Sequence, residues 1–169
     1  EPPCTGCLQI TQPFTATSQN AFFNVLLADG GEDFSDAVVH FLLRAPAFDA
    51  SGQIFVQPFV QDNDFAPFVA GSFLPITADT FEDNDTFVEI DIDVGAVTTV
   101  GFDATTTRVI GFQIIAGGSL PVPATQVLLL DSITFDDAPI PDFEFTDDEE
   151  GFEINEDAGG LTTGTVEHL

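Results

Sequence analysis

The sequence predicts an all-β chain folded as an antiparallel sandwich. Several short runs alternate between apolar and polar residues, the mark of a strand with one buried face. The runs recur about every 8–12 residues and are separated by Gly, Asp and Pro turns, the spacing of a sandwich. No stretch carries the 3.6-residue period of an amphipathic helix. The specific expectation is a jelly roll of two antiparallel sheets.

The strongest pair of strands lies in residues 107–135. In Arg108-Val-Ile-Gly-Phe-Gln-Ile-Ile115, Ile110, Phe112 and Ile114 fall on one side, and Gly111, Gln113 and Ile115 on the other. A Gly/Pro turn leads to the second run, 125–135, which sets Asp131 among aliphatic residues. A carboxylate at that place needs a partner, because burying an unpaired charge is costly.

Upstream, residues 21–27 form a strand candidate, followed by an acidic turn with Gly30 and Gly31. In 37–44, Val39, Phe41 and Leu43 share one face, and His40, Leu42 and Arg44 the other. In 53–61, Ile54, Val56 and Val60 oppose Phe55, Gln57, Phe59 and Gln61. Pro58 marks an edge or a bulge there, since it cannot donate to a ladder. Residues 65–76 read as a further strand kinked at Gly71. In 86–93, Val88, Ile90 and Ile92 face the core, while Phe87, Glu89, Asp91 and Asp93 face out. That acid row reads as a solvated face or as a cation-binding one. Asn84 opens an N-glycosylation triplet on a turn.

The chain of 169 residues fits one domain with a proper core, and 44% of it is apolar. Its formal net charge is −27, with Arg44 and Arg108 as the only Arg or Lys. That balance argues against nucleic acid, whose phosphates need Lys or Arg. It equally disfavours an anionic membrane surface, and no apolar run reaches the roughly 20 residues of a spanning helix. Such charge repels itself unless salt or divalent cations screen it. A halophilic, calcium-containing or otherwise extracellular setting is the expectation, beside the simpler reading of an acidic surface kept for solubility. No signal peptide precedes Glu1, so the chain reads as a mature form or a fragment.

Cys4 and Cys7 are the only cysteines. Two cysteines do not make a four-ligand zinc site, and a thioredoxin-like role would need a βαβ context. In an oxidising compartment a local Cys4–Cys7 disulfide is the expected state.

Composition divides the chain into three regions: a sandwich body at 1–136, a Pro-containing linker at 137–142, and an acidic tail at 143–169. Two prolines within three residues make the linker extended and stiff, which favours a tail that reaches outward. By charge alone the tail reads as disordered. Phe143, Phe145, Phe152 and Ile154 are nevertheless spaced as in short strands, and 161–166 offers another. The tail is therefore expected to dock on a sandwich.

The runs VIGFQII and VLLLDSITF resemble the closing strands of β-jelly-roll carbohydrate-binding modules. AVVHFLLRAP and QIFVQPFVQ are similar to the middle strands of that family. FEFTDDEEGFEIN looks like the family's first strand and acidic turn, and CTGCLQIT like the next part of the module, where Gly precedes a short strand. The resemblance thus begins near Phe143, passes Leu169 and resumes at Glu1. The chain looks circularly permuted, or like one out-of-phase repeat of a polymer. A tail completing its own sandwich and a tail completing a neighbour's are both open, with the neighbour favoured. Head-to-tail donation gives open filaments instead of closed dimers.

The resemblance also implies a structural calcium ion shared by the closing and opening strands. The matching positions are Asp131, Glu144, Asp147 and Asp148, with the alternative that Asp131 only accepts backbone N–H bonds. It implies a glycan-binding face, for which His40, Arg44, Phe55, Gln57, Phe59, Gln61 and Gln113 are the candidates. The absence of Tyr and Trp leaves sugar stacking to Phe, and core packing is the competing use of those rings. The leading functional expectation is a non-catalytic structural subunit of an extracellular or cell-surface filament, with copies of itself as partner. The second is a carbohydrate-binding module with polysaccharide as partner. No Ser/His/Asp or Cys/His motif supports an enzyme.

Overall fold

A computed structural model of the chain describes residues 6–65, 68–155 and 160–169. It is an antiparallel sandwich of two sheets, compatible with a jelly-roll-like fold. The strands are β1 (Leu8–Phe14), β2 (Asn20–Leu26), β3 (Val38–Arg44), β4 (Ile54–Asp62), β5 (Val69–Ala70), β6 (Leu74–Pro75), β7 (Val88–Asp93), β8 (Thr107–Ala116), β9 (Ala124–Asp136), β10 (Glu153–Ile154) and β11 (Thr165–His168). One sheet runs β11-β1-β9-β3-β7, and the other β10-β2-β8-β4-β5 with β6 also on β4. A single-turn helix, α1 (Ala78–Phe81), buries Phe81.

Alternation builds the core between the sheets. Val39, Phe41 and Leu43 from β3 meet Ile110, Phe112 and Ile114 from β8, all fully buried. Fully burying a side chain of this size contributes about 1.5–3 kcal/mol. Ile54, Val56 and Val60 of β4 and Ile90 and Ile92 of β7 join the same cluster. Each is on the face that period-2 reading assigns to it.

Pro58 sits in β4 opposite Phe112 of β8. Its carbonyl points the other way, to the Gly71 N–H at 2.8 Å, in the gap between β5 and β6. The missing proline donor therefore falls on the edge side, where no continuous ladder requires it. The run 65–76 is not the single strand expected. It forms two strands of two residues, β5 and β6, joined by loop. Gly31 takes φ +75°, and a Cβ there would stand 2.2 Å from the Thr106 carbonyl oxygen. Only glycine lets the 28–36 turn lie against β8, where Glu32 bridges Thr107.

Asp131 is the extra residue of a β-bulge. Leu43 pairs with Leu130 and Leu42 with Ser132, so nothing on β3 faces Asp131. The bulge resets the phase of β9: Leu128 and Leu130 point to the core before it, Ile133 after it. Without the insertion, Ile133 would turn outward.

Candidate assembly segment and surface sites

Residues 143–155 and 160–169 fold back onto the body of the same molecule. The linker does not extend outward. It turns, aided by Asp137 at φ +58°, and Ala138 and Ile140 pack against the core. The Asp142 carboxylate accepts the Phe135 N–H at 3.0 Å, and Phe143 then exchanges two backbone bonds of 2.9 Å with Ile133. The end of β9 beyond the bulge thus gains an edge partner that β1 is too short to supply, since β1 stops at Leu8 opposite Leu130.

From there the segment closes one side of both sheets. β10 pairs with β2, Glu153 opposite Asn24 and Ile154 opposite Phe23. The Asn155 N–H donates to the Phe22 carbonyl at 2.8 Å, and the Leu161 N–H to the Asn20 carbonyl at 2.6 Å. β11 pairs with β1, from Leu8 opposite His168 to Thr11 opposite Thr165. Leu169 meets the two residues before β1 as well: its N–H reaches the Cys7 carbonyl, and the Gly6 N–H reaches the Leu169 carbonyl.

Two phenylalanines anchor the segment. Phe145 is 0% and Phe152 2% exposed. Phe152 lies 5.7 Å from Phe112 and 6.1 Å from Phe145, and Phe145 stacks at 6.4 Å on Phe143. Phe143 continues to Phe135 at 6.0 Å. Aromatic contacts of this kind contribute about 0.5–1.5 kcal/mol beyond area burial. The acids between these rings are mostly exposed, as Asp147, Asp148 and Glu150 show. The segment therefore solvates its charge and buries only its rings. His168 supports the turn through its Nε2, 2.7 Å from the Phe145 carbonyl oxygen. An open groove of about 570 Å³ remains between β10 and β11, lined by residues of this segment such as Phe152, Ile154 and Val166.

The Asp131 carboxylate is partly buried at the seam between body and segment. No donor among the described residues reaches it, and desolvation raises its pKa above the ordinary 3.8. The expected calcium set, Asp131, Glu144, Asp147 and Asp148, is not gathered into one group. Glu144, Asp147 and Asp148 are exposed, and Asp148 caps the Glu150 N–H at 2.8 Å. They and Asp131 do not form a group of three with ligand atoms in mutual reach.

Among the described residues one group does: His40, Glu89 and Asp91. His40 of β3 pairs directly with Asp91 of β7. Its Nδ1 is 2.8 Å from Asp91 Oδ1 and 3.6 Å from Glu89 Oε1, and its Nε2 is 3.4 Å from Asp136 Oδ2. Partial burial pulls the imidazole pKa down, and Asp91, Glu89 and Asp136 more than offset this, so it lies above 6.5. Sequence reading placed Glu89 and Asp91 in an outward row but did not join them to His40. The signal was available in two strands whose outward faces carry complementary charge.

The expected glycan face does not assemble as one surface. His40 and Arg44 lie on the sheet of β3, whereas Phe55, Gln57, Phe59, Gln61 and Gln113 lie on the sheet of β4 and β8. Arg44 is buried beneath Phe87, its guanidinium 5.2 Å from the ring. On the second sheet an amide chain runs from Asn20 to Gln113 at 3.2 Å, on to Gln57 at 2.6 Å, and to the Gly71 carbonyl at 2.8 Å. Phe59 is fully buried there under Phe68, stacked at 4.7 Å. Gln61 donates to the Phe65 carbonyl. Asn84 is exposed in the 82–85 bend. No described cysteine is free; Cys7 is buried, and Cys4 lies outside the described residues. Among the described residues no helix is long and apolar enough to cross a membrane.

Compared with known proteins, the chain matches no family model and no curated sequence.

Proposed function

We propose that the protein is a structural subunit whose C-terminal segment, 143–169, joins copies of the chain head to tail. The observation that carries this reading is the burial of Phe145 and Phe152 in a core to which they connect only through the turn at 137–142. The segment supplies an edge strand to each sheet, yet few side chains hold the turn itself. Exchange of an identical element between copies keeps every contact of the closed form and changes only the turn. Where each copy donates to the next instead of exchanging reciprocally, the contact propagates head to tail as an open chain. The setting is extracellular or at a cell surface, in keeping with the −27 charge.

The pairing of β11 with β1 supports a permuted carbohydrate-binding-module-like order. Were Leu169 joined to the start of the chain, β11 and β1 would be neighbouring antiparallel strands of one hairpin. Calcium at Asp131 belongs to the same reading, supported by a desolvated carboxylate without a donor among the described residues. A polysaccharide-binding role is favoured by one feature only, the amide chain beside Phe22 and Phe68.

The test is a deletion of residues 138–141. The shortened connection no longer spans the turn, so closure within one molecule is blocked. Sedimentation and negative-stain microscopy are expected to show concentration-dependent linear oligomers. A folded, strictly monomeric deletion variant would refute the assembly reading.

A further inference from the structure

The carboxylates around His40 are neutralised by neither arginine of the chain. The three groups nearest the ring, Glu89, Asp91 and Asp136, are all carboxylates. Asp93, next in the outward row, is committed to the Ala96 N–H at 2.9 Å. Arg44 is engaged with Phe87, and Arg108 with Asp29 and Asn63. Neither guanidinium serves the cluster.

The arrangement is divided around the imidazole ring. On the β9 side, Asp136 is placed to accept the Nε2 proton. With Nδ1 protonated, the ring donates to Asp91 at 2.8 Å; with the proton on Nε2 alone, the Nδ1 lone pair faces β7, where Asp91 Oδ1 and Glu89 Oε1 also present lone pairs. In that second tautomer three acceptors converge with no donor among them. A proton on Nδ1 satisfies one contact. A cation between them satisfies all three.

The spacing admits a small cation, and the donor set identifies its class. Nitrogen and oxygen ligands at about 2.0–2.2 Å from a tetrahedral ion stand roughly 3.3 Å apart. The observed 2.8 and 3.6 Å from Nδ1 bracket that value. A ring nitrogen selects a borderline transition metal over calcium or magnesium, which take oxygen ligands. A carboxylate on the second ring nitrogen is the usual outer support of a metal-bound histidine. The ligands sit on paired strands, so their backbones are fixed by the β3–β7 ladder. This separates them from the acidic turn at 147–150, which has no nitrogen ligand and lies on a loop.

We propose that His40, Asp91 and Glu89 bind one borderline divalent transition-metal ion, zinc or an ion of its size, with Asp136 orienting the imidazole. The ion rests on the outer face of the β3 sheet with its remaining positions open to solvent. It is independent of the segment 143–169 and of any calcium at Asp131.

The experiment is a zinc chloride titration of the full chain at pH 7.5 in excess calcium, followed by calorimetry and by the imidazole nitrogen resonances. The first equivalent of zinc is expected to move the His40 Nδ1 resonance and leave the His168 resonances in place. Asp91→Asn and Glu89→Gln, both at exposed positions, should each weaken binding at least 10-fold. Asp136→Asn should weaken it about 10- to 100-fold, the range for losing an outer-shell partner. An unmoved Nδ1 resonance, or equal zinc affinity in the native chain and the Asp91→Asn and Glu89→Gln variants, would overturn the proposal.

Discussion

The ring of Phe152 lies 5.7 Å from the ring of Phe112, so the acidic C-terminal segment reaches the centre of the sandwich. Phe112 also contacts Phe41 at 5.8 Å and Phe23 at 6.1 Å, and so touches both sheets. Phe152→Ala should therefore cost about 3–5 kcal/mol, the range for emptying a buried phenylalanine site. Chemical denaturation checks this. The neighbouring Glu153→Ala, on an exposed side chain, should change stability by no more than about 0.5 kcal/mol.

Gly164 is pressed against β1. A Cβ there would stand 2.5 Å from Gln12 Oε1, 3.0 Å from the Thr11 carbonyl oxygen and 3.1 Å from the Phe23 ring. Gly164→Ala should loosen β11 while the body stays folded. Limited proteolysis reads the result: cleavage within 137–142 should become faster than in the native chain, and equal rates would mean that the close approach does not hold the segment.

Asp131 makes a prediction with a change of sign. Its folded-state pKa is raised by desolvation above the unfolded value, so the ionised form opposes folding at neutral pH. In calcium-free buffer Asp131→Asn should raise the melting temperature at pH 7. The gain should vanish as pH falls through the folded-state pKa towards 3.8, where the native carboxyl is itself protonated. With calcium present the same substitution should lower the melting temperature. A substitution with the same effect in both buffers would remove calcium from Asp131.

His40 titrates in the same sense but over a higher pH window. Its folded-state pKa lies above 6.5, so the proton stabilises the fold below pH 6.5, and that contribution is lost as pH rises through the folded-state value. Without metal, the native chain should lose stability over this window more steeply than His40→Gln. Parallel curves would show that the carboxylates around the ring do not favour its charged form.

Period-2 patterning made β3, β4, β7 and β8 legible because each keeps strict alternation against a single core. The same rule failed on β9 at Asp131. A bulge changes phase, and the spacing of Leu130 and Ile133 by three positions was its trace in the sequence. The 65–76 run misled because Phe65, Phe68 and Phe73 lie over the outer face and in solvent, partly exposed, instead of alternating along one strand. The linker misled in another way: two prolines stiffen a chain without setting its direction, and Asp137 at positive φ reverses it. In the segment, Phe145 and Phe152 amid a run of acids were the legible signal, since isolated rings in a charged stretch are of use only when buried. The His40 cluster required knowing that β3 and β7 are neighbours, which alternation within one strand does not reveal.

Exchange of segment 143–169 between molecules leaves a covalent record when cysteines are placed across it. Gln9 of β1 and Glu167 of β11 are direct cross-strand partners, so a cysteine at each position records whose β11 lies on whose β1. The double variant is oxidised over a range of protein concentrations and resolved on a non-reducing gel. Exchange predicts a ladder of covalently linked multimers that lengthens with concentration. A single monomeric band at every concentration, with the new disulfide formed, would contradict it.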